Sequence, residues 1–303
     1  LTRAQFDGDP RQAGALATTF NTRKSVGQNQ LGLVLERQLS DTDSSQVRSW
    51  LGRRDFGNRL PLRAGGQTTY SRLFAGVGGQ YTHLANWFGL GHQLTTGIDV
   101  EQQRDDRERR NNEVGGHTGN LTLRQREKAG GYGLYVQDSI DLTERLQLGV
   151  QAQHKHFRFL GEQRRYFDDY DERMGGATLS YLVASQTLVY GGLTYTRRSQ
   201  DTDTASNREY MGSLGLYRMF DAGVNLNLTA LYRTTRYDAP DGFLGGLRKD
   251  KQQIYIANLA MPRFSLAGVV PNLYVKRTEN DSSIDWAYAY RQTEVALKFE
   301  KTF

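Results

Sequence analysis

From Val295 to the end of the chain, apolar and polar positions alternate. Val295, Leu297, Phe299 and Phe303 share one parity, and Glu294, Ala296, Lys298, Glu300 and Thr302 the other. A period of two predicts a strand, and an apolar face backed by a charged one suits a wall between lipid and a watery lumen. The alternation recurs throughout. Leu31, Leu33, Leu35 and Leu39 share a face in a segment at 20–39, and Leu94, Thr96, Ile98 and Val100 oppose Thr95, Gly97, Asp99 and Glu101. In a hairpin over 121–160, Tyr132, Leu134, Val136 and Ile140 descend to DLTE (141–144), and Leu146, Leu148, Val150 and Ala152 climb away opposite Gln147, Gln151, Gln153 and Lys155. Val224, Leu226, Leu228, Ala230 and Tyr232 continue the pattern.

Thirteen such segments are expected, the others near 45–56, 69–84, 166–182, 187–198, 209–220, 250–261, 269–278 and 285–303. Short turns at 40–44, 141–144, 184–185 and 220–223 alternate with long charged stretches near 57–68, 104–119, 160–166, 200–207 and 237–250. Turns that are short at one end and long at the other mark an outer-membrane barrel with periplasmic turns and extracellular loops. A soluble sandwich has no reason to alternate its loop lengths.

The expected fold is therefore all-β, a transmembrane antiparallel up-and-down β-barrel of about 14 strands (12–16) in a single domain over 1–303. An even count is the rule for such barrels, so residues 1–19 or a piece before them would supply the fourteenth. The Gly- and Ala-rich opening otherwise reads as a loop. Trp286, Tyr288 and Tyr290 lie on the opposite parity to Val295, which predicts a bulge or face switch near 291–294.

Composition sharpens this reading. The mean hydropathy is negative, as alternation makes it even in a membrane barrel, and no run of about 20 apolar residues exists to make a helical span. The 17 tyrosines and 13 phenylalanines suit aromatic girdles. The absence of cysteine suits an envelope protein that does without disulfides. Any signal peptide is expected to lie outside the sequence, which opens LTRAQFDGDP. The net charge of +6 comes from arginines interspersed with acids, which excludes the basic stripe of a nucleic-acid binder.

Candidate chemistry is sparse. His154 and His156 share a strand face, as a metal or base pair would, but two polar residues at the outer rim satisfy the pattern equally. The acidic run FDDYDE (167–172) has calcium-type ligands and reads as a solvated strand tip. There is no GxSxG elbow. The Gly-Gly pairs at 78–79, 130–131, 175–176, 191–192 and 245–246 sit inside strand patterns and serve curvature or close approach rather than phosphate binding. No catalytic, metal or cofactor residue is assigned, and no enzyme is expected. Arg197, Arg233, Lys276, Glu294, Lys298 and Glu300 are expected to face the lumen, and Val295, Leu297, Phe299 and Phe303 to form the C-terminal membrane-insertion signal.

Two resemblances emerge. Residues 1–163, above all YVQDSIDLTERLQLGV, resemble the barrel of TonB-dependent receptors; residues 168–303 resemble the barrel of surface lipoprotein assembly modifiers, through YRTTRYDAPDGFLGGLRKD (232–250), the Gly268, Pro271, Leu273, Tyr274 and Arg277 pattern, and SSIDWAYAYRQTEVALKFEKTF. The chain reads as a composite with a seam near 160–175, without the plug of the first family or the helical repeat domain of the second. The second resemblance implies delivery of a lipoprotein or secreted protein to the cell surface, with the passenger as partner. The first implies the barrel of a receptor for a siderophore or other iron chelate, and a third reading is a chimeric scaffold without specific function. In each case the expected location is the outer membrane of a Gram-negative bacterium, with membrane lipids, lipopolysaccharide and the barrel assembly machinery as further partners.

Overall fold

The computed structural model describes residues 3–9, 11–160, 169–201, 204–241 and 244–301. Thirteen strands follow one another in a single antiparallel sheet whose spatial order is the sequence order. They are β1 (Arg23–Gln38), β2 (Asp43–Arg59), β3 (Gln67–Trp87), β4 (Leu90–Asn112), β5 (Thr118–Asp141), β6 (Leu146–Leu160), β7 (Tyr170–Ala184), β8 (Thr187–Gln200), β9 (Asn207–Phe220), β10 (Val224–Pro240), β11 (Leu247–Ala260), β12 (Val269–Ser282) and β13 (Tyr290–Lys301). Among the described residues β1 pairs with β2 and β13 with β12, and no pairing joins β1 to β13. Among the described residues no helix is long and apolar enough to cross a membrane.

The register carries one apolar face across the whole sheet. Leu31 lies opposite Leu51, Val77 opposite Val100, Ile98 opposite Leu134, Val150 opposite Ala177, Leu228 opposite Ala257, and Val275 opposite Val295. This face is bordered towards the longer connections by Tyr132, Tyr195, Tyr210, Tyr232 and Tyr255, and towards the shorter turns by Tyr81 and Tyr181, all exposed. An apolar band between two rows of tyrosine is the lipid-facing surface of a barrel wall.

Several aromatic rings of the opposite, inward face lie flat against glycines of the neighbouring strand. Trp50 stands across from Gly76 and Tyr190 from Gly215. A Cβ at either glycine would overlap the ring, so glycine lets the ring lie down along the wall instead of projecting into the lumen.

The short connections are 39–42, 88–89, 142–145, 185–186 and 221–223. The remaining connection at that end, 261–268, is longer and carries a 3-10 turn at Pro262–Phe264. At the other end the strands run further than expected. β4 continues to Asn112 and β5 starts at Thr118, so most of 104–119 is ladder rather than loop. The charges that argued for a loop are paired across strands: on the outward face Arg126 contacts Asp106 at 2.8 Å and Arg124 contacts Glu108 at 2.6 Å. On the inward face Arg72 binds Asp105 through two hydrogen bonds of 2.7 Å, and Arg107 lies 3.1 Å from Glu127. Asp105 and Glu127 are only 1% and 2% exposed, and both arginines lie over the ring of Tyr70. At 24 residues β5 spans about 80 Å, far more than the 9–11 residues that hydrocarbon requires. The ion-paired part is a wall standing in water beyond the membrane.

The described residues of 1–19 supply no fourteenth strand: Arg3–Gly8 (α1) and Ala15–Thr19 (α2) are short helices. Their trailing end is tied to the extended end of the wall by the buried side chain of Asn112, whose Nδ2 donates to the carbonyls of Phe20 and Leu60 at 3.0 and 2.8 Å. The expected face switch near 291–294 is also absent, because β12 and β13 stay in register from Tyr290 to Lys301. The parity change is absorbed earlier, in a helical turn at Asp285–Tyr288 (α3) that places Trp286 and Tyr288 outside the strand. Gly245–Gly246 lies in the connection before β11 rather than in a strand, with Gly245 at φ 69°.

Two substitutions test this construction, both followed by equilibrium unfolding of the refolded protein. Arg72→Ala strands the buried Asp105 carboxylate and is expected to cost about 3–5 kcal/mol, with Arg72→Ala/Asp105→Ala recovering part of the loss. Gly76→Val drives a side chain into the Trp50 ring and is expected to cost about 1–3 kcal/mol, relieved when Trp50→Ala is added.

Candidate functional site: the charged inner wall

The inward parity of β7–β12 gathers its charges near the end with the longer connections. Arg198 of β8 donates to Glu172 of β7 at 2.6 Å. Arg233 of β10 lies 3.4 Å from Glu209 of β9, and Arg248 of β11 lies 2.7 Å from Asp250 two residues along its own strand. Together they line a cleft of about 400 Å³.

The cations are held by more than charge. Arg198 sits over the ring of Tyr170 at 4.7 Å. Arg248 is clamped between Tyr237 at 4.8 Å and Tyr288 at 3.6 Å. The helical turn α3 supplies that second ring: Asn280 Nδ2 donates to the Tyr288 carbonyl at 2.8 Å, and the Tyr288 hydroxyl donates to Asp241 at 2.9 Å. This last bond pushes the hydroxyl above its ordinary titration range. Stacking of this kind fixes a guanidinium plane and leaves its edge free to bind. Asp250 Oδ1 is buried without a hydrogen-bond partner, whereas Arg233 Nε is the atom that meets Glu209 at 3.4 Å. The cleft thus offers an acceptor to whatever enters it.

Arg233 lies in the cleft. Lys276, Glu294, Lys298 and Glu300 share its inward parity further along β12 and β13, with Lys276 directly opposite Glu294 and Lys298 Nζ 3.9 Å above the Tyr274 ring. Arg197 does not: it follows the parity of Leu193 and Tyr195 onto the apolar face, and its neighbour Arg198 points inward instead. Carrying the Leu193–Tyr195 alternation two residues further puts Arg197 outward and so turns Arg198 inward, from sequence alone. The Arg248–Tyr288 clamp leaves no such trace, because a helical turn creates it. Val295, Leu297 and Phe299 stand exposed on the outward parity of β13, while Phe303 lies outside the described residues.

His154 and His156 also face outward, beside Tyr132, where both reach Asp171, at 3.6 and 3.1 Å. Among the described residues no group of three or more His, Cys, Asp or Glu side chains is arranged to hold a metal ion. In the acidic run, Phe167 and Asp168 lie outside the described residues. Each later carboxylate has its own partner: Asp169 accepts from the Phe159 amide, Asp171 meets the histidines, and Glu172 meets Arg198. The arrangement is a polar wall with a mixed-charge cleft.

Comparison with known proteins agrees with this picture. The ferric citrate transporter FecA in its unliganded form superposes with a TM-score of 0.68 at 12% identity, over 98% of this chain and 50% of that one. The pyoverdine receptor FpvA of Pseudomonas aeruginosa PAO1 superposes at 0.67 and 12% identity, over 93% and 48%. Over nearly all of its own length the chain therefore has the fold of a TonB-dependent receptor barrel, spanning about half the length of each receptor. The hemophilin secretion modulator of Acinetobacter baumannii is 30% identical over 128 residues, which are 42% of this chain and 26% of that protein. Residues 75–303 match the surface lipoprotein assembly modifier family, a range that runs through 160–175 and well into the stretch resembling the receptors. With more than half its length in that match and an antiparallel wall that is apolar on one face and charged on the other, the chain belongs to the surface lipoprotein assembly modifiers, barrel proteins of the Gram-negative outer membrane.

Proposed function

We propose that this wall lines a route by which a passenger polypeptide, a surface lipoprotein or a secreted protein, leaves the cell, and that the protein acts by passage and not by chemistry. The observation that carries the reading is the cleft itself, set in the inner wall of a family member. Arg198, Arg233 and Arg248 alternate there with Glu172, Glu209 and Asp250. Matched charges let successive segments of a polypeptide exchange hydrogen bonds with the wall without any one being held, since a single-sign surface would retain its counter-charge. The orphaned Asp250 Oδ1 supplies such an exchange point. The relative's tie to hemophilin secretion makes a hemophilin-like protein the first passenger to test.

A receptor for an anionic iron chelate is the second reading, favoured by the arginines and tyrosines at the outer mouth. The two separate experimentally. In cells producing the protein and its passenger, Arg198→Ala/Arg233→Ala/Arg248→Ala is expected to lower passenger at the surface by about tenfold or more, at unchanged barrel level. Unchanged delivery overturns the export reading. Titration of the purified protein with ferric citrate is expected to show no saturable binding; saturable binding abolished by the triple variant establishes the receptor reading in its place.

A further inference from the structure

The register aligns cations on the outward face. Arg173 of β7 lies opposite Arg197 of β8, Arg197 opposite Arg208 of β9, Arg208 opposite Arg236 of β10, and Arg236 opposite Lys249 of β11. Five adjacent strands thus present a basic residue at the same level of the same face. Residues paired this way have Cβ atoms about 5 Å apart, and like charges there repel. One carboxylate lies within the row: Asp238 is 2.5 Å from Arg197 and 3.7 Å from Arg208. Arg173, Arg236 and Lys249 make no ion pair among the described residues and are exposed.

The position of the row identifies what relieves the repulsion. One alternation below it, Tyr195 and Tyr210 pack at 5.0 Å in the girdle that marks the outer boundary of the apolar band. Below the girdle an apolar groove of about 780 Å³ opens between Leu193 and Leu214, which are 74% and 70% exposed. A ligand that reaches both features carries hydrocarbon chains and, at headgroup depth, negative charge. The lipid anchor of a passenger brings chains without the charge. The row is about 19 Å across, four strand spacings, which is wider than one phosphodiester and matches a headgroup with phosphates at two ends.

We propose that the outward face of β7–β11 is a binding site for a bisphosphorylated, multiply acylated glycolipid of the outer leaflet, of the lipid A type. The phosphates take the row at Arg173, Arg208 and Arg236, and one acyl chain lies in the Leu193–Leu214 groove. Phosphate suits arginine because its oxygens accept two parallel N–H bonds from one guanidinium.

The test is binding of the refolded chain, in detergent, to hexa-acylated bisphosphorylated lipid A. Dephosphorylated lipid A is expected to bind the unaltered protein about tenfold more weakly or worse, and Arg173→Gln/Arg208→Gln/Arg236→Gln to lose a similar factor for the bisphosphorylated form. Heat-modifiable migration of the variant checks that it is folded, and the dephosphorylated arm needs no variant at all. Phosphatidylglycerol is expected to displace lipid A poorly. Equal binding of the two lipid A forms, or an undiminished affinity of the folded triple variant, overturns the site. Mole-for-mole displacement by phosphatidylglycerol overturns the glycolipid assignment.

Discussion

Hydrocarbon leaves no water to satisfy backbone N–H and C=O groups, so a chain without long apolar helices crosses it only as a sheet that pairs its own strands. Everything else in this molecule follows from that constraint. Consecutive strands pair with their neighbours in sequence order, successive side chains point to opposite faces, and the register keeps all outward positions in one surface. A one-residue slip in any strand would carry leucines into the lumen and arginines into lipid.

The same constraint bears on the two edge strands. β1 and β13 are both odd-numbered in an up-and-down meander and run in the same direction. A direct pairing between them would be parallel, whereas every pairing observed in the sheet is antiparallel. A second copy inserted in the same orientation could offer its opposite edge only in the parallel sense as well. A strand of reversed direction between β1 and β13 would make both contacts antiparallel. Its faces are dictated in advance: apolar beside Leu33 and Leu297, polar beside Gln30 and Lys298.

The strands were legible in the sequence because period-two alternation is imposed locally by burial of one face. Each of the thirteen expected segments meets a strand, although the ends differ. The ends of β4 and β5 were misjudged because a run such as RDDRERR reads as solvated loop when considered alone. Its partners lie on neighbouring strands, and pairing across the ladder, Arg72 with Asp105 and Arg126 with Asp106, is what makes it structure. The face switch before β13 was anticipated from the parity of Trp286, Tyr288 and Tyr290, but a helical turn resolved it instead of a bulge. Of the inner-wall site, Arg233 was legible from alternation. The Arg248 clamp and the outward arginine row were not, because both depend on which residues the register sets side by side.

The most direct test of the two-faced wall uses the absence of cysteine, which makes every single substitution a unique probe. Cysteines placed one at a time at Leu193, Tyr195 and Leu297, and at Thr194, Arg198 and Lys298, are labelled with an environment-sensitive fluorophore in the bilayer-inserted protein. The first three are predicted to be quenched by brominated lipid chains and the second three by a water-soluble quencher. Aqueous quenching that is equal for both parities would contradict a membrane wall and return the sheet to a soluble fold.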